Sequence, residues 1–223
     1  MPSPDLTKWV TDRVFRHDKN SPGFACLRFQ ESIHSFQLRQ FMVNLKQGLS
    51  RLFKQSYGEE LAYYSLGRFD QKKTTRLHLD GAPACAFLML GYEPSLVKSQ
   101  FLIADYASCA QEQTLTPRQF LDQKNPMFNE TGQSNLKAYT QIINEWDDSE
   151  SRVVIINNGS LPSGQPWPGF GVLHGADILH VPDSNTPRII NSILFTPKSE
   201  TFTESELALN TFLETDAISG QIL

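Results

Sequence analysis

The sequence predicts an α+β chain: mainly β, a two-sheet barrel with flanking helices packed outside it. Three observations lead there. Short β-branched and aromatic runs crowd the middle and late chain, and one long amphipathic helix precedes them. The regular βαβ alternation of a parallel sheet is missing, as are the GxGxxG and P-loop glycine patterns. At 223 residues the chain is long enough for one large core. We therefore read 1–223 as one domain, with helical support over 1–58, the barrel core over 59–200, and a C-terminal helix and tail over 201–223.

The first element is the N-terminal amphipathic helix over 32–53, where Phe36, Phe41, Met42, Leu45, Leu49, Leu52 and Phe53 recur at helical spacing and Gln, Lys and Arg fill the other face. An aromatic strand follows over 60–69, then short buried runs over 84–90 and 99–104. Thr116-Pro117 opens a short helix, with Thr as cap and Pro at the first helical position. A further helix is expected over 135–146, with Leu136, Tyr139, Ile142, Ile143 and Trp146 along one side. The clearest strands are 152–156 (RVVII) and 188–196 (RIINSILFT). Between them, the Gly/Pro-rich stretch 159–171 is long enough for a lid or site-forming loop. A strand over 172–181, a hairpin-like turn over 182–187 and a last helix over 204–214 complete the pattern.

Composition narrows the function. Hydrophobic residues are 39% and charged residues 20%, which excludes disordered, collagen-like and coiled-coil chains. A net charge of −4 gives no broad electrostatic grip on nucleic acid. Three cysteines, Cys26, Cys85 and Cys109, lack CxxC spacing, which fits a reducing, cytoplasmic setting. The first residues, MPSPDLTKWVTDRVF, lack the apolar stretch of a signal peptide, and the apolar run 82–90 falls short of the ~20 residues that cross a bilayer. A soluble protein with neither nucleic-acid nor membrane partners is expected.

The histidines carry the chemistry. His17 and His34 sit in charged or helix-leading stretches and read as surface or capping residues. In Arg76-Leu77-His78-Leu79-Asp80 the imidazole and carboxylate are two apart, so a strand would aim both at one face. Together they make two-thirds of a facial iron site. A third ligand follows late in the chain, at His174 or His180, and Arg188 then enters the next strand. That order suits an oxygenase whose metal binds one end of 2-oxoglutarate while an Arg fork holds the far carboxylate.

In this order, His78-x-Asp80, a late His and an in-strand Arg188, the sequence resembles the iron(II)- and 2-oxoglutarate-dependent dioxygenases, prolyl hydroxylase-like or phytanoyl hydroxylase-like, over about 63–197. The resemblance implies a double-stranded β-helix (a jelly roll, or cupin-like barrel), with Fe(II) as metal, 2-oxoglutarate as cosubstrate, dioxygen, and a small-molecule substrate. It implies His78, Asp80 and His174 as catalytic metal ligands, and Arg188, Tyr64 and Ser192 at the cosubstrate. Tyr64 lies in YSLGRF, similar to the Tyr-bearing strand ahead of the HxD motif in prolyl hydroxylase-like members. The polar run 70–76 separates it from His78, and Ser192 stands four residues after Arg188, where some members have Ser two after it. Retention of Asp80 implies hydroxylation or a related oxidation, since halogenating members lack that carboxylate.

Choosing the distal ligand sets two arguments against each other. A regular hairpin turning near Ser184-Asn185 brings His180 level with Arg188 and leaves His174 roughly 20 Å back along the strand, at ~3.3 Å per residue. Leu173-His174-Gly175, however, resembles the Leu-His-Gly of the distal ligand in many family members, and the prolines at 182 and 187 break the ideal hairpin. We assign His174. Two other classes fit the same residues: a cupin-like metalloenzyme that does not use 2-oxoglutarate, and a non-catalytic jelly-roll binding protein. Arg68, Lys72, Lys73 and Arg76, close to His78 in sequence, would suit an anionic substrate or simply a solvated face.

Overall fold

Ser3 accepts a hydrogen bond from the Leu6 N–H and Pro4 stands in the first turn, so the first helix, α1 (Pro4–Val14), begins on a side-chain cap and a residue with no N–H to leave unpaired. The sequence reading passed over this helix. The computed structural model describes residues 2–29, 33–143, 147–200 and 206–218. After α1 come strand β1 (Phe24–Arg28) and helix α2 (Ser35–Tyr57). A His34/Gln37 capping box opens α2, and Gly58 closes it in the left-handed region at φ 80°. Leu38, Met42, Leu45, Leu49 and Phe53 form its fully buried stripe, while Phe36 turns to solvent. Ser32 lies outside the described residues.

Two antiparallel sheets follow. Strands β2 (Leu61–Asp70), β3 (Thr75–His78), β4 (Phe87–Tyr92) and β5 (Lys98–Ala104) lead to helices α3 (Tyr106–Glu112), α4 (Pro117–Lys124) and α5 (Glu130–Leu136). The chain returns through β6 (Thr140–Ile142), β7 (Arg152–Asn157), β8 (Leu173–His180) and β9 (Ile189–Pro197), then α6 (Glu206–Glu214). One sheet has the order β1-β7-β4-β9-β2 and the other β3-β8-β5-β6. Apolar alternation divides the core accordingly. Leu88, Leu90, Phe101, Ile103, Val154 and Leu194 meet between the sheets. Phe87, Met89, Ile155 and Ile193 face the other way, against α1 and α2. The chain is thus α+β with two antiparallel sheets, compatible with a jelly roll.

Two expectations are corrected. The segment 135–146 is not a helix. Leu136 ends α5, Lys137–Tyr139 make one 3-10 turn, and Thr140–Ile142 pair with β5. An open sheet edge and the β-branched Thr140 and Ile142 outweigh the helical spacing; residues 144–146 lie outside the described residues. Second, 182–187 is not a hairpin turn, because β8 and β9 belong to different sheets. The two prolines cannot donate to a ladder, and Asp183 instead accepts the Asn185 and Thr186 N–H groups in a local turn.

The ends of the loop 159–171 are packed against the body of the protein, while 163–166 are exposed. Asn157 Nδ2 donates to the Val14 and Pro168 carbonyls, Leu161 N–H donates to Gly169, and Phe170 is buried. A Cβ on Gly171 would stand 2.0 Å from the Gly159 carbonyl oxygen, so only glycine lets the loop ends meet.

Candidate metal centre

His78 closes β3, an edge strand of the four-stranded sheet, and lies opposite His174 at the start of β8. Their rings approach to 4.3 Å between centroids. His78 Nδ1 stands 2.7 Å from the Arg76 carbonyl, which can only accept. Nδ1 therefore carries the proton, and Nε2 faces Asp80 Oδ1 at 3.5 Å with a free lone pair when the ring is neutral. One ligand atom from each of His78, Asp80 and His174 lies within 4.8 Å of the others. Leu77 and Leu79 point away, into the apolar cluster under α3–α5.

Asp80 reaches this group by a route the strand argument did not anticipate. β3 ends at His78, so strand alternation does not govern Asp80. Its main chain is held by Asn158, just past β7 in the other sheet. The Asp80 N–H donates to Asn158 Oδ1 at 3.0 Å, and Asn158 Nδ2 donates to the Asp80 carbonyl at 2.9 Å.

Electrostatics prepare the three for a cation. Burial, then the neighbouring His78, depress the His174 pKa to about 4, so its imidazole is neutral at pH 7. Burial pulls on His78 in the same direction, but hydrogen bonds from the protonated ring to the Asp80 carboxylate and the Arg76 carbonyl outweigh it and the pKa rises. For Asp80, burial works against ionisation, yet its hydrogen bond with His78 and the charge interactions with His174 and His78 keep the carboxyl below its usual range. His174 is 6% exposed and its Nδ1 is buried with no hydrogen-bond partner.

The remaining assigned residues separate clearly. Arg188 is 2% exposed and enters the space between the sheets. Its Nε donates to Ser99 Oγ and its Nη1 to the Gln71 carbonyl; Nη2 is buried without a partner. The guanidinium lies 5.2 Å from the Tyr92 ring centroid, Tyr92 packs edge-on to Phe101, and Phe101 stacks on His174, so a row of aromatic rings joins Arg188 to the cluster. Ser192, opposite Leu90 and Gly67, is buried on the face that carries Ile190 and Leu194. Tyr64 sits at the β-bulge between Tyr63 and Ser65 and is 37% exposed. His180 lies six residues from His174, at the exposed far end of β8 beside Lys98. Of the basic residues near His78 in sequence, Arg68 turns outward to Glu93 and the Asp216 carbonyl, Lys72 pairs with Asp70, and Arg76 is exposed. Asn158, Tyr92, Phe101 and Ser99 escaped the sequence reading.

Comparison with known proteins adds little. No protein-family model and no curated protein matches the chain. Among solved structures, the chain is similar to a "putative alpha-ketoglutarate dependent 2,4-D dioxygenase" from Burkholderia xenovorans, with 12% identity, a TM-score of 0.43, and coverage of 91% of this chain and 92% of that one. Among the described residues, no helix is long and apolar enough to cross a membrane.

Proposed function

We propose that the protein is an iron(II)- and 2-oxoglutarate-dependent oxygenase that hydroxylates or otherwise oxidises a small molecule, releasing succinate and carbon dioxide. The observation that carries this reading is the convergence of His78, Asp80 and His174 within 4.8 Å, two imidazoles on adjoining strands and one carboxylate just past the end of β3. That donor set suits non-haem iron(II) and leaves coordination positions for cosubstrate and dioxygen. The residues fit both groups: Nδ1 of His174 and Nη2 of Arg188 are buried polar atoms in need of partners. The order β2-β9-β4-β7 in one sheet and β3-β8-β5-β6 in the other supports a double-stranded β-helix as the scaffold.

In this reading His78, Asp80 and His174 hold the metal, which when bound supplies oxidative decarboxylation of 2-oxoglutarate and oxygen activation. Arg188 binds the distal carboxylate of the cosubstrate, with Ser99 and the Gln71 carbonyl fixing the guanidinium. Ser192 offers a hydroxyl on the same interior face, and the apolar residues between the sheets exclude water. Exposed at its bulge, Tyr64 has a weaker claim to the cosubstrate than Ser192.

Anaerobic titration with iron(II), with and without 2-oxoglutarate, tests the proposal. The expected result is one iron per chain, a visible charge-transfer band that needs both additions, and succinate on admission of air. Metal binding without the band or succinate would leave a metalloenzyme of another kind, and absence of metal binding would leave a binding protein.

A further inference from the structure

We infer that Asn158 is a positioning residue for the metal-binding carboxylate, fixing Asp80 from the opposite sheet; the inference rests on the oxygenase reading of His78, Asp80 and His174. Three observations support it. Asp80 lies beyond the end of β3, and β3 is an edge strand, paired only with β8. No ladder therefore holds the Asp80 main chain. Both its polar groups instead meet one side chain: the N–H donates to Asn158 Oδ1 and the carbonyl accepts from Asn158 Nδ2, at 3.0 and 2.9 Å. Lastly, Asn158 is itself rigid, 2% exposed, with its main-chain N–H donating to the Ala86 carbonyl.

The chemistry selects this residue type. A primary amide presents one acceptor and one donor side by side, matching the N–H and C=O of a single peptide residue. Aspartate offers acceptors only, and alanine neither. With the amide removed, both main-chain groups of Asp80 are left without these partners and the carboxylate is free to turn from the imidazoles. Groups that orient a metal ligand typically change affinity by about 10–100-fold when lost.

A neighbouring residue supplies the control. Asn157 is equally buried, but its side chain ties the loop 159–171 to α1 and makes no bond to Asp80. Asn158→Ala and Asn157→Ala thus each delete a buried amide, and only the first releases the carboxylate. The experiment is a cobalt(II) titration of the full chain by calorimetry, with the visible cobalt spectrum recorded on the same samples, for the parent, N158A, N157A and D80A. We expect the parent to bind one cobalt, N158A to bind at least tenfold more weakly with an altered spectrum, and N157A to stay within about twofold of the parent despite a lower melting temperature. If N158A does not fold, N158S, which retains one hydroxyl in place of the amide, is measured instead and should also weaken binding. Parent-like affinity and spectrum in a folded N158A or N158S, or equal losses in N157A and N158A, overturn the inference. Cobalt binding by the parent that D80A leaves unchanged, or no cobalt binding at all, instead overturns the metal-centre reading and the inference with it.

Discussion

At the scale of single residues, the proposed chemistry rests on the side chains of His78, Asp80, His174 and Arg188, and deleting a proposed metal ligand should differ in signature from deleting Arg188. His78→Ala, Asp80→Ala and His174→Ala should each abolish iron-dependent 2-oxoglutarate turnover, whereas His180→Ala, at the exposed end of β8, should retain both iron and turnover. Metal content by atomic absorption on the four variants checks this; loss of iron in His180→Ala alone would reassign the distal ligand. Arg188→Ala should raise the 2-oxoglutarate requirement by roughly a hundredfold, since truncating one partner of a buried charge pair typically costs a few kcal/mol, and Arg188→Lys should recover only part of it. The KM for 2-oxoglutarate is the measurement. A near-normal value would separate the metal centre from that cosubstrate and favour the metalloenzyme alternative. The types of these residues were readable in the sequence, because HxD and a late Arg are local patterns. Their support was not. The Asn158 clamp spans 78 positions, and no periodicity reports a contact of that kind.

At the scale of elements, α2 and β2 carry a buried charge whose cost can be measured. Lys46, within the buried stripe of α2, donates to the Leu61 carbonyl at 2.5 Å and lies 4.0 Å from the Tyr63 ring centroid. Burial lowers its pKa from 10.5 to about 8, against the opposing pull of Glu60. At about 1.4 kcal/mol per tenfold change in proton affinity, the folded state bears roughly 3 kcal/mol for the protonated amine. Below pH 8 both folded and unfolded chains hold the proton and the cost is present in full; it fades as pH rises from 8 to 10.5, where only the unfolded chain stays protonated. Lys46→Met should therefore stabilise by about 1–2 kcal/mol at pH 7, after losing a hydrogen bond worth about 1 kcal/mol, and the gain should shrink by pH 9.5. Urea denaturation of parent and variant at both pH values gives the comparison. The same elements show where sequence patterns held and where they failed. β7 and β9 are central strands buried on both faces, so continuous β-branched runs marked them. β6 has three residues at an edge. Only its partner β5 makes it a strand, so helical spacing misled.

At the scale of the whole molecule, the two sheets and the helices outside them anchor both ends of the loop 159–171. Its backbone bonds to Ala84, Arg16 and His17, together with the buried Phe170, make it part of the wall. Limited proteolysis should cut this loop no faster in the metal-free protein than with metal and 2-oxoglutarate added. Protection appearing only on ligand addition would support a lid. The sequence suggested mobility because Gly and Pro are common to mobile loops and to tightly folded ones. What distinguishes the two is close approach, as at Gly159 and Gly171.

The edge position of β3 has a mechanical consequence. One proposed ligand ends that strand, a second lies at the start of its neighbour β8, and the third is fastened by Asn158 to the facing sheet. An ion held by all three would rivet the two sheets together at an edge, where only one neighbouring strand pairs with β3. Its binding energy would then become resistance to unfolding of the whole two-sheet fold, rising by about 1.4 kcal/mol for each tenfold increase in free metal above the dissociation constant. The melting temperature should climb with metal concentration in the parent protein and stay flat in Asp80→Ala, which differential scanning fluorimetry across a metal series measures.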